Sequence, residues 1–229
     1  MAGFKTHITV SSLLGIGYGG VACLNYGVPW PTCVLAGGLC GVSGMLPDID
    51  SNSGTPLRES MAFAAAVVPI MLLHRFQRMG MSHESMILAA AAIYLLVRFG
   101  AATVLKHCTV HRGMFHSLPA AVIFGEIAFL LASGDDLRLR EYNAGAVVLG
   151  CLSHLVLDEI YSIGKHSFGT ALKLFGPSGW ANLLAYAQLA VLTTIVLFEP
   201  QYPPASASPR GLSFGQPAAT RLIDGIWHR

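Results

Sequence analysis

Apolar residues run through this chain in long blocks, each ended by a short polar or Gly/Pro-rich segment. The blocks cover residues 8–26, 28–46, 60–76, 86–105, 117–133, 143–160 and 181–198. A helix that crosses a bilayer needs about 20 mostly apolar residues, so each block is a candidate span. Several are short or polar at one end, and these are expected to be tilted, re-entrant or packed inside the bundle. The block 60–76 is the weakest, with Pro69 inside it and His74 and Arg75 at its end. Turn signals separate the blocks: Gly27, Pro29 and Pro31, then 51–56, then Gly134-Asp135-Asp136. Residues 161–180 form the longest internal connection. The pattern predicts an all-α fold, a polytopic helical membrane bundle of about five to seven spans. That domain is expected over residues 1–199. Pro200, Pro203, Pro204, Pro209 and Pro217 mark 200–229 as a disordered Pro-rich C-terminal tail.

Composition strengthens this picture. The 229 residues are 53% hydrophobic and only 11% charged, which a soluble domain rarely shows. The formal charge of +2 is too small to imply a nucleic-acid partner and no dense basic run appears, so none is expected. Five cysteines form no Cys-x-x-Cys pair and sit mostly in apolar blocks, where free Cys acts as a small hydrophobe. Lys5 and the apolar run from Ile8 resemble a signal peptide, but no convincing cleavage site follows. An uncleaved first membrane helix is the expectation.

Against so little charge, the metal-capable side chains stand out because they cluster at the ends of blocks. They are His7, then Asp48 and Asp50, then His111 and His116, then His154 and Asp158. If the spans alternate in direction, all four clusters fall on one membrane face. Basic residues divide almost evenly between the two faces, with a slight lean to a cytoplasmic site face.

Each cluster has a chemical reading. His154 and Asp158 are four apart, so a helix puts them on one face, one turn apart. Imidazole with carboxylate suits zinc or another first-row divalent ion, although a capping pair would look the same. Asp48 and Asp50 flank Ile49 after Pro47, which ends the helix or directs the chain into a turn, and alternation would aim both carboxylates to one side. Two such anions beside a bilayer need a cation to offset them. Gly113 allows a tight turn that brings His111 and His116 together. Arg112 has the planar fork that grips an anionic oxygen. Ser117 is expected to cap the following helix, with Pro119 in its first turn. Arg98 and Glu126 fall inside spans and are expected either to function or to pair within the bundle.

Taken together, His7, Pro47-Asp48-Ile49-Asp50, His111-Arg112-Gly113-x-x-His116-Ser117 and His154-x-x-x-Asp158 resemble the YdjM family. Its members are bacterial inner-membrane proteins described as LexA-regulated, membrane-bound, metal-dependent hydrolases. The resemblance covers roughly residues 1–175, with the motifs in family order. Phe115 stands where the family has Thr, and Tyr161-Ser162-Ile163-Gly164 replaces a Thr-Pro-x-Gly-like turn. The family is in turn distantly similar to zinc-dependent phospholipases C. That likeness implies paired ligands in His154 and Asp158 and a bridging role for Asp48 or Asp50.

These readings converge on an integral membrane hydrolase that holds one or more divalent metal ions, zinc being expected. The expected metal ligands are His7, Asp48, Asp50, His111, His116, His154 and Asp158, with Asp50 and Arg112 in catalytic roles. The expected partners are membrane lipids and a small or lipid-linked phosphoester substrate. Two rival readings are a transporter or metal-ion permease, and a non-catalytic membrane stress-response protein with a structural metal.

Overall fold

The computed structural model describes residues 3–50, 54–101, 103–104, 115–134, 136–162, 173–176 and 178–198. His111, Arg112 and the tail 200–229 lie outside the described residues, as does the side chain of Asp50. The fold is all-α. In chain order the helices are α1 (Phe4–Tyr26), α2 (Trp30–Ser43), α3 (Thr55–Met71), α4 (Leu73–Arg78), α5 (His83–Leu95), α6 (Leu118–Leu131), α7 (Leu137–Ser162) and α8 (Gly179–Leu197). A 3-10 turn covers Leu46–Asp50, and a π-helical segment, Leu96–Ala101, extends α5.

Among the described residues, five stretches are long and apolar enough to cross a membrane: Phe4–Tyr26, Thr55–Arg78, His83–Ala101, Leu137–Ser162 and Gly179–Leu197. The blocks 28–46 and 117–133 shrink to helices of 14 residues each. At 1.5 Å per residue these reach about 21 Å, short of a hydrocarbon core of about 30 Å. Local chemistry trims them. Pro29 precedes α2, and Gly44 closes it before the Pro47 turn. Ser117 opens α6, its Oγ accepting from the Ala120 N–H at 3.3 Å, with Pro119 in the first turn. Pro69 sits near the end of α3, just before the break that separates it from α4.

Helix α7 is the axis of the bundle. Half of its apolar window is buried, against none of α8. It packs on α6, α2 and α1, while α8 packs on α6, and α3 on α5. Lipid tails are as apolar as leucine, so packing here depends on close fit rather than on escape from water. Glycines supply that fit. A methyl on Gly15 would strike the backbone of Gly37, and one on Gly19 that of Cys33. Gly41 likewise lies against Ser12, so α1 and α2 run antiparallel through two small-xxx-small stripes. On the other side of α2, Gly150 of α7 meets Cys40 and Ser43. Cys40 and Cys151 sit in the resulting core as small hydrophobes. The Thr193 hydroxyl of α8 donates to Glu126 Oε1 at 2.5 Å, while its buried Oε2 has no hydrogen-bond partner among the described residues.

Candidate metal centre

The packing brings four chain segments to one end of the bundle. His7 comes from the first turn of α1, Asp48 from the 3-10 turn, His116 from the residue before the α6 cap, and His154 and Asp158 from the C-terminal half of α7. His7 Nε2 lies 3.2 Å from Asp158 Oδ1, and His116 Nε2 lies 3.0 Å from Asp48 Oδ1. His154 Nε2 stands between the pairs, 3.7 Å from Asp48 Oδ1 and 3.7 Å from Asp158 Oδ2. Two ligand-capable triads result, His7/His154/Asp158 and Asp48/His116/His154, with His154 common to both.

His154 is held by its other nitrogen. Its Nδ1–H donates to the Gly44 carbonyl at 2.7 Å. A carbonyl only accepts, so Nδ1 carries the proton and Nε2 of a neutral ring presents a lone pair to the site. Gly44 caps α2, where the last carbonyls lack helical partners and carry partial negative charge. Histidines that bind metals are oriented by this kind of hydrogen bond. Behind them, Ser11 Oγ lies 2.7 Å from the Gly41 carbonyl and 2.9 Å from that of His7, tying α1 to the end of α2.

His154 Nε2 is fully buried and has no hydrogen-bond partner among the described residues. A lone pair facing two carboxylate oxygens is repulsive unless a cation sits between them. A proton on Nε2 would supply the charge, but the His7 ring is stacked on His154, centroids 3.7 Å apart. Charging both rings would put like charges in contact without water. A divalent ion fits better, because two carboxylates and neutral imidazoles leave a charge of −2 to offset. The spacings also suit it. Donors bound at about 2.0–2.2 Å in a tetrahedral shell stand about 3.3–3.6 Å apart; the ligand atoms of each triad all lie within 4.8 Å of one another, close enough to draw in around one ion.

The cluster is closed on one side and open on the other. His7, His116, His154 and Asp158 are at most 4% exposed, whereas Asp48 is 25% exposed. Burial pushes the Asp48 carboxyl up. The hydrogen bond with His116 and attraction to His154, His116 and His7 outweigh it and hold the carboxyl below its ordinary value.

The expected convergence of His7, Asp48, His116, His154 and Asp158 is thus present in space. Asp48 lies on a 3-10 turn, Leu46–Asp50, in keeping with the expectation that Pro47 directs the chain into a turn. Sequence reasoning passed over Gly44, whose carbonyl acts through its position at a helix end. It also passed over Glu159, which is buried beside Asp158.

Fold and site together define a helical membrane protein with a buried His/Asp cluster able to hold a metal ion. The chain belongs to the YdjM inner membrane protein family, whose sequence model matches residues 1–198. No curated protein and no solved structure gives a significant match.

Proposed function

We propose that this protein is a metal-dependent hydrolase of the bacterial inner membrane that cleaves a phosphoester at the cytoplasmic face. The observation that carries the reading is His154 Nε2, buried, held in its metal-binding tautomer and aimed between two carboxylates. His7, His116, His154 and Asp158 would hold the ion, zinc being the natural choice for imidazole and carboxylate donors. Asp48 would complete the set from the open side. His111 joins as a further ligand from the segment preceding His116. When bound, such an ion supplies Lewis acidity and a water of lowered pKa.

The chain's own groups do the rest. Hydrolysis places a hydroxyl on phosphorus, breaks the P–O ester bond and delivers a proton to the departing alkoxide. Asp50, outside the described cluster but on the same turn as Asp48, takes the proton as general base. Arg112 grips a non-bridging phosphoryl oxygen with its fork. The partial exposure of Asp48 supports an open, catalytic site over a closed structural one. The likeness to zinc-dependent phospholipases C supports phosphoester chemistry by analogy of architecture.

Metal analysis of purified protein tests the reading. Zinc bound at a fixed ratio by wild type should be lost from His154→Ala and strongly reduced in Asp158→Asn. Full metal content in both variants would end it. Metal loss without phosphoesterase activity in wild type on a broad substrate panel would leave the structural role standing instead.

A further inference from the structure

A cavity of about 570 Å³ lies on the outer surface of the bundle between α1 and α2, with Phe63 of α3 as one wall. Its volume is within the range of ligand pockets. Gly15, Gly19 and Gly37 form its floor because the two helices cross too closely for side chains there. Ile16 and Val34 form exposed rims. Its lining is apolar and one of its two helices, α1, is long and apolar enough to cross a membrane, so hydrocarbon suits it.

The direction of the valley is informative. It runs along α1 from Cys23 to Ile8, about 22 Å at 1.5 Å per residue. One leaflet's hydrocarbon is about 15 Å deep. At one end stands Trp30; at the other stand Ile8, Gly41 and Val42. Ile8 follows His7, and Val42 lies two residues before Gly44, whose carbonyl orients His154. A second apolar groove on the opposite side of α1, lined by Leu13, Gly17 and Tyr18, ends at Val10 and includes no residue of α2. The first reaches closer to the cluster, to Ile8 beside His7 and to Val42 beside the Gly44 turn.

We propose that the valley between α1 and α2 holds an acyl chain of the substrate, a membrane phospholipid whose headgroup phosphoester reaches the metal cluster. This rests on the hydrolase reading and names its substrate class. A soluble phosphoester would have no use for the valley. A membrane lipid enters it sideways and arrives with its phosphate at the level of the cluster.

Gly38 offers a plug. A Cβ there would make only ordinary contact with Phe63, at 3.6 Å, so a larger side chain fills the valley without striking backbone. Gly17 is the control, lining the other groove with nothing within 4 Å of its Cβ. Zinc-loaded full-length protein in phosphatidylethanolamine/phosphatidylglycerol vesicles is assayed on those lipids and on bis-p-nitrophenyl phosphate. Gly38→Leu should lower the ratio of lipid to soluble turnover at least tenfold, and Gly17→Leu should leave that ratio unchanged. An unchanged ratio in Gly38→Leu overturns the proposal. In parallel, phosphatidylglycerol with a diazirine-bearing tail is photo-crosslinked to each protein. Labelling should concentrate at Ile16 and Val34 and vanish in Gly38→Leu. If wild type hydrolyses neither probe, the hydrolase reading fails and this labelling alone decides the valley. Equal labelling of Leu13 on the opposite face overturns it. So does a dimer that Gly38→Leu makes monomeric, which would assign the valley to a second copy.

Discussion

A methyl group at Gly150 should weaken metal binding although Gly150 touches no ligand. The residue lies one helical turn before His154, and a Cβ there would overlap the Cys40 carbonyl oxygen and Ser43 Oγ of α2. The serine hydroxyl can rotate away, but the Cys40 oxygen is backbone. The helices must therefore part by roughly 1 Å to regain contact distance. Overpacking of this kind costs about 1–3 kcal/mol, and alanine returns about 1 kcal/mol through helix propensity. At about 2–4 °C per kcal/mol, the melting temperature in detergent should fall by no more than several degrees. The site feels more. The His154–Gly44 hydrogen bond, 2.7 Å long, would stretch toward about 3.7 Å and break. Losing the bond that orients a metal-binding histidine lowers affinity about 10–100-fold, or about 1.4–2.7 kcal/mol. A zinc titration against a competing chelator reads this directly. Gly20→Ala, whose Cβ meets nothing within 4 Å, should bind as wild type does. Gly150→Ala with wild-type affinity would refute the argument that helix approach sets the site.

Stripping the metal with a chelator should lower the melting temperature, since an ion held at 100 times its dissociation constant adds about 2.7 kcal/mol. An identical melt with and without chelator would count against a bound ion. The Asp48 carboxyl titrates lower in the folded protein than unfolded, so its pairing stabilises fully above about pH 3.9. That stability is lost as pH falls from there through the lowered folded value. Acid melts of metal-free protein should therefore be steeper for wild type than for Asp48→Asn, and parallel curves would contradict the pairing. Ser11→Ala removes the bond that ties α1 to Gly41 and should cost about 0.6–1.5 kcal/mol, read as a modest drop in melting temperature.

The bundle was legible because spanning requires long apolar runs, and all seven blocks became helices. What the runs could not convey was length. The apolar stretch 28–46 reads as a span until Gly44 and Pro47 end the helix early, and hydropathy is blind to that. The site was legible for a related reason. A membrane chain keeps ionisable groups only where they are compensated, so His7, Asp48, His116, His154 and Asp158 were conspicuous. The Gly44 carbonyl was not, because every residue carries one and only tertiary placement makes this one matter.

The order in which the ligands occur along the chain has a consequence for biogenesis. His7 leaves the ribosome long before its partner Asp158, which lies 151 residues later on α7. Neither triad exists until α7 has been inserted and has packed against α1 and α2. A nascent chain is thus unable to capture a metal ion in a half-built site, and loading becomes the closing event of assembly. The ion acts as a latch that only a fully threaded bundle can close.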